Sequence, residues 1–378
     1  MKRKTVKRIK KYLVFVISLL ILVAVFSNSN LFYKPVKVFA DIFSGSAVKF
    51  VLPSFLNNSQ NSDISAFNDN KTKSKEREKT TLSSTEKQSI STTKNNATTK
   101  KTDEKTVLTN AEEYGGRVKS QTINKAGATA SYGDVYVKNK TEKTINIKTE
   151  MSKKPNLKIK LNSSKPQVLI VHTHATESFF PSLVENYPKS WGERDNDVEK
   201  NMVSVGSIIK NYLDKSGIKT VQSTVLHDKG EYNGAYDRSR KTIISYLKKY
   251  PSIKVVLDVH RDAINEEDGD KIRPIINIKG KTAGQIMLVS GCESGPITGY
   301  PNWRKNLRFS LGLQKTLEQN YPSLARPLFF AEKKYNQDLC ENSLLVEVGS
   351  QANLLSEAKY SAKLFAISLS KYLKSFSN

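Results

Sequence analysis

Four short apolar runs constrain this chain more than any other feature. "VLIV" (168–171), "KVVLDV" (254–259), "QIMLVSG" (285–291) and "SLLVEV" (343–348) read as buried strands. Helical periods separate them. Val198, Met202, Val205, Ile209 and Leu213 form one stripe, closed by Gly217 as a C-cap. Ile243, Ile244, Leu247 and Tyr250 form another, stopped before Pro251. Trp303, Leu307, Leu311, Gln314 and Leu317 line a third, and residues 357–373 a closing amphipathic helix. Strand–helix alternation predicts an α/β domain over 165–378, with a mostly parallel sheet flanked by helices. Ahead of it, "GDVYVKNKTEKTINI" (133–147) predicts two short strands, at Val135/Val137 and Ile145/Ile147, in a strand-rich lead-in over 106–164.

The first third of the chain is different material. Residues 1–11 carry seven basic residues, and Tyr12 to Tyr33 carries no charge. A span of this length crosses a bilayer, and the basic cluster stays inside the cell. We therefore expect a cytoplasmic segment (1–11), a single transmembrane helix (12–33) and a juxtamembrane segment (34–56), with the remainder exported. A cleaved signal peptide ending near "VFA" (38–40) is the alternative. Residues 57–105 hold Ser, Thr, Asn, Lys and Gln with few apolar residues, and predict a disordered linker serving as a tether. Net charge is +25. Export makes nucleic acid a poor match for it, and leaves anionic lipid or anionic wall polymers. Cys292 and Cys340 are too few for a disulfide scaffold, and no C-x-x-C exists for a cysteine-built zinc site.

Chemistry-bearing residues follow the strands. His172 and His174 come after "VLIV". Asp258, His260, Arg261 and Asp262 lie in and after "VVLDV", and Glu347 lies in "SLLVEV". In open α/β sheets, ligands bind beyond the carboxyl ends of the strands. Imidazole and carboxylate are the donors zinc takes when thiolate is absent, three from protein in a catalytic site. A further carboxylate outside the metal's ligands can then act as general base. A carboxylate inside "LLVEVG" costs several kcal/mol unless paired or metal-bound. His227, in "LHDKG", reads as a surface loop residue.

"VEVGSQAN" (346–353) resembles the V-E-x-G-F-x-S-N signature of zinc-dependent N-acetylmuramoyl-L-alanine amidases, and "LDVHRDA" their S-I-H-x-N-A strand end. "HTHATESF", "NGAYDRS", "DVHRDA", "NLRFSLGLQ" and "YNQDLCENSLLVEVG" together resemble the stage II sporulation protein P family, from about Gly116 onward. That resemblance implies an amidase fold binding Zn²⁺. It implies peptidoglycan as substrate, cut between muramic acid and L-alanine, with endopeptidase activity as well. It implies action at the septum during engulfment, with stage II sporulation proteins D and M as partners. It assigns His174, Glu177 and His260 to the metal and Glu347 to proton transfer; beside them we expect Arg261 to stabilise the oxyanion, with pairing to Asp262 as the alternative. Glu199 is the alternative to Glu177, and His172 orients its neighbour. Rival readings are a wall-binding scaffold with a structural zinc site, and another zinc peptidase or deacetylase of the wall.

Overall fold

The structure is a computed structural model that describes residues 113–377. The basic segment, membrane span, juxtamembrane segment and tether expected over 1–105 lie outside the described residues. Among the described residues no helix is long and apolar enough to cross a membrane.

In chain order the elements begin with β1 (Tyr114–Gln121), β2 (Ala130–Tyr132), β3 (Val135–Asn139), α1 (Ile147–Ser152), β4 (Val168–Val171) and β5 (Asn186–Pro188). Next come α2 (Met202–Lys215), β6 (Thr220–Gln222), α3 (Ala235–Lys249), β7 (Val255–Asp262), β8 (Lys271–Ile278) and β9 (Lys281–Gly284). The last are β10 (Ile286–Gly291), α4 (Trp303–Asn320), β11 (Leu328–Ala331), β12 (Ser343–Ser350) and α5 (Leu355–Lys374). Eight strands form one sheet in the order β2-β3-β11-β10-β12-β7-β4-β6. Five of its seven pairings are parallel; β2–β3 and β10–β12 are antiparallel. The fold is α/β with a mixed sheet.

Alternation along each strand divides the sheet into two faces. Val168, Ile170, Leu257, Val259, Leu344, Val346, Ile286, Leu288 and Phe330 turn to the back, into the main core with residues of α2, α4 and α5. Each such side chain contributes ~1.5–3 kcal/mol by burial. Leu169, Val171 and Val256 turn to the front, against Ile243 of α3. Farther across the front, Met287, Val289, Phe329, Ala331 and Leu345 form a separate apolar floor, with Tyr335 packed on it. Asp258, His260, Asp262 and Glu347 share the front parity and lie between these two clusters.

Three features depart from the sequence reading. Ile145 and Ile147 form no strand: the Asn146 side chain accepts a hydrogen bond from Thr149 N at 2.9 Å, and this cap starts α1 instead. Val198 lies ahead of α2 and is exposed, because Asn201 caps that helix through Val203 N. A second sheet, ordered β5-β1-β8-β9, has no counterpart in the expectation. The lead-in joins the domain through both sheets: β1 pairs with β8 and β5 in the second, and β3 pairs with β11 in the first. A buried Arg273–Glu357 ion pair ties β8 to the start of α5.

Gly206 gives a direct test of the packing behind the site. A Cβ there would stand 2.5 Å from the His172 ring. Alanine in place of a mid-helix glycine ordinarily stabilises by about 0.5–1 kcal/mol. Here overpacking, at about 1–3 kcal/mol, should win. Gly206→Ala should lower the urea midpoint; an unchanged or raised midpoint would mean His172 is not wedged under α2.

Candidate active site

His174, Glu177, His260 and Glu347 come to the front of the sheet from three strand ends. In the β7–β12 pairing Glu347 stands in register with His260. The His174 and His260 rings meet edge to face, with centroids 5.4 Å apart. Glu177 Oε2 lies 3.5 Å from His260 Nδ1. His260 Nε2 lies 2.9 Å from Asp258 Oδ1. Asp258 also accepts from Thr173 N at 2.9 Å and Thr173 Oγ1 at 2.6 Å, which fixes it against the end of β4. The loop after β4 is pinned in turn by Asp228, which accepts from Thr176 N and Oγ1 and pairs with Arg194. Asp228 Oδ2 lies 3.9 Å from His174 Nδ1.

The centre is closed over. His174 is 2% exposed, and Tyr232 stacks on it at 4.4 Å with the rings 9° from parallel. Arg194 lies over the Tyr232 ring at 4.6 Å. The loop carrying Tyr232 runs between Gly230 and Gly234, both left-handed at φ 82° and 72°.

Burial sets the charges. It lowers His174 to about 4. It works against ionised Glu177, yet His260 and Arg261 hold that carboxylate down to about 2. Burial also opposes a charged His260, but Asp258 and Glu177 outweigh it and hold the imidazole well above the usual histidine range. Glu347 goes the other way: burial first, then the Asp262 charge, push it up to about 8. Its Oε2 is buried without a hydrogen-bond partner.

The remaining expected residues fall elsewhere. His172 has back-face parity. Its Nδ1 pairs with Val259 O at 2.9 Å and its Nε2 with the Gln222 amide at 3.0 Å, so a closed four-ligand site including it is not built here. Arg261 lies on the strand between two front-facing residues. Its guanidinium donates to the carbonyls of Ser178, Glu193 and Asp262, and its main-chain N–H to Glu177 Oε2 at 3.2 Å. It holds the Glu177 loop rather than an oxyanion. Glu199 is exposed. His227, expected at the surface, is buried, with Nδ1 on His172 O and Nε2 on Thr242, both at 2.9 Å. Both cysteines are free thiols, pushed up by burial to about 11 for Cys292 and about 12 for Cys340.

The donors suit zinc chemically: two imidazoles and a carboxylate, among further buried carboxylates whose charge a divalent cation would offset. Orphaned Glu347 Oε2 fits such a neighbour. Among the described residues, the His, Cys, Asp and Glu side chains whose ligand atoms come within 4.8 Å of one another in a group of three are instead Glu266, Asp268 and Asp270; His174, Glu177 and His260 are neighbours but are not drawn that close together. Arg117 and Lys119 already pair with the acidic group. The choice of carboxylate is testable: Glu177→Gln should lower zinc content and Glu199→Gln should leave it unchanged, by metal analysis of the purified chain. The reverse pattern would move the ligand to Glu199.

Sequence reasoning missed Asp258 as the support of His260, although the i, i+2 spacing in "LDVHRD" puts both on one face. It also missed Asp228, Arg194, Tyr232 and Arg326, which reach the site through loops. The fold and rim thus describe an α/β domain with a buried His/His/Glu cluster and a separate glutamate at its strand ends. The chain belongs to the stage II sporulation protein P family, whose sequence model matches residues 42–370. Stage II sporulation protein P of Bacillus subtilis (strain 168) is 31% identical over 217 residues, 53% of this chain and 50% of that protein. The chain thus spans about half the length of the curated relative it matches. Among solved structures, N-acetylmuramoyl-L-alanine amidase AmiC2 of Nostoc punctiforme is similar at 13% identity over 57% of this chain and 98% of its own, with a TM-score of 0.33. The CwlD amidase of Clostridioides difficile, solved in complex with the GerS lipoprotein, is similar at 12% identity over 55% and 99%, with a TM-score of 0.34.

Proposed function

We propose that this chain is a membrane-anchored peptidoglycan hydrolase, a zinc-dependent N-acetylmuramoyl-L-alanine amidase. It works outside the cytoplasmic membrane on septal wall during sporulation, alongside stage II sporulation proteins D and M. Family membership supports the sporulation role. The observation that carries the chemistry is Glu347: a buried carboxylate with its pKa raised to about 8, in register with His260 but not hydrogen-bonded to it. A general base works best with a pKa near the working pH.

His174, Glu177 and His260 would hold the metal. When bound, zinc supplies Lewis acidity toward an amide carbonyl and lowers the pKa of water. The chain's own residues do the rest. Asp258 places a carboxylate charge 2.9 Å from Nε2 of the His260 ring. Arg261 fixes the Glu177 loop. Glu347 Oε2 takes the proton of the attacking water and passes it to the leaving nitrogen. Tyr232 and Arg194 keep bulk water off His174.

Dye release from labelled sacculi tests the reading. Release should stop with chelator and return with added zinc. Binding without release would favour the scaffold. The anchor is tested separately: external protease on intact protoplasts should remove the domain, and a protected full-length chain would refute an exported one.

A further inference from the structure

The groups of the proposed reaction are shut away from solvent. His174 is 2% exposed, Glu177 3%, His260 3% and Glu347 9%. Both ring nitrogens of His174, Nε2 of His260 and Oε2 of Glu347 are buried atoms. A polymer such as peptidoglycan does not thread into a centre closed to this degree, so part of the wall has to move.

Most of the wall is pinned. Asp258 holds the loop after β4 through Thr173, and Asp228 holds it through Thr176. Arg261 ties down Ser178 and Glu193. The segment before β12 is locked by Asn336, whose amide donates to Tyr236 O at 2.8 Å. Gln337 locks it too, donating to Val289 O at 3.0 Å and accepting from Gly291 N at 2.9 Å. Residues 230–234 differ. They belong to no strand and precede α3. Glu231 O and Asn233 O accept from the Arg238 guanidinium, and Tyr232 O from Ala235 N at 3.3 Å. Glu231 and Asn233 are exposed. The two arginines that hold the segment, Arg238 beneath it and Arg194 over Tyr232, are partly exposed themselves. Segments with exposed backbone and few buried contacts open at low free energy. The segment is also bounded by the left-handed Gly230 and Gly234. A Cβ at Gly230 would meet nothing within 4 Å, so glycine there answers to backbone freedom alone. Loop and element-terminal residues of this kind absorb the dihedral change of a hinge.

We propose that residues 230–234 are a lid. Tyr232 is its plug, seated on the His174 ring, and Arg194 is the latch over the plug. The lid swings about Gly230 and Gly234, and the site admits substrate only when the lid is off. The inference deepens the proposed function, as a control on the same site, and rests on it.

The test reads closure separately from turnover. The full-length chain, stripped of metal, is treated with diethyl pyrocarbonate, and carbethoxylation of each histidine is followed by mass spectrometry. Tyr232→Ala should modify His174 roughly tenfold faster than wild type, the equivalent of about 1.4 kcal/mol of lost stacking. Tyr232→Phe keeps the stack and should stay close to wild type. His172 and His227, held on both ring nitrogens, should not change in either variant. If Tyr232→Ala speeds their modification as well, that variant is unfolding, and the lid stands or falls on the same comparison in Arg194→Gln. In the zinc-loaded chain, Tyr232→Ala should release zinc to a chelator faster and hydrolyse intact sacculi faster. An unchanged His174 rate in Tyr232→Ala overturns the lid. Faster modification with unchanged or slower hydrolysis makes Tyr232 a fixed wall and overturns it too. Loss of hydrolysis in Tyr232→Phe would give the hydroxyl a direct part in the reaction and would likewise overturn it. If wild type itself releases nothing from sacculi, the hydrolase reading fails, while the His174 rates still decide whether Tyr232 closes the centre.

Discussion

Glu347→Gln should lower hydrolysis by roughly 10²–10⁴-fold, the range for loss of a general base, while zinc content and binding to intact peptidoglycan are kept. Glutamine preserves the shape of a side chain packed at the join of β12 and β7, but it cannot accept a proton. The pH dependence gives an independent check. A base must be ionised to act, so activity should rise with pH through the Glu347 pKa and be lost below it. Burial and Asp262 set that limb above the usual carboxylate value, toward about 8; a zinc ion nearby would pull it lower. The residual activity of Glu347→Gln should lack this limb. Zinc loss in Glu347→Gln would instead make Glu347 a ligand and reopen the assignment of Glu177.

His174→Ala and His260→Ala should each abolish hydrolysis together with zinc, because two remaining donors hold the ion poorly. Asp258→Asn is the graded control. It leaves the imidazole of His260 in place but weakens its support, and such changes cost 10–100-fold in metal affinity. Metal analysis after dialysis against a weak chelator should therefore rank wild type above Asp258→Asn, and Asp258→Asn above the two alanine variants. Full zinc in either alanine variant would remove that histidine from the ligand set.

The sheet strands at the site were legible because fully buried strands are written as unbroken apolar runs, and "VLIV", "KVVLDV" and "SLLVEV" are such runs. Reading which residues face the site required only parity. Asp258, His260 and Glu347 obey it, and the same rule sends His172 behind the sheet, where Gln222 and Val259 hold it. The second sheet was not legible. β1 is largely polar, β5 has only three residues, and the two are joined by pairings 69–74 residues apart, such as Arg117 with Asn186. Loop residues were hidden for a related reason. Asp228 and Arg194 converge on His174 through contacts that no local period encodes. Ile145 and Ile147 misled because an Asn146 cap outweighed two alternating isoleucines.

The most direct measurement is mass spectrometry of the products when purified peptidoglycan is digested with the zinc-loaded full-length chain. The account predicts intact stem peptides with a free L-alanine amino terminus, and glycan strands bearing unsubstituted lactyl carboxylates, both absent with Glu347→Gln. Peptides shortened internally while still attached to glycan, or no soluble product despite tight binding, would contradict it.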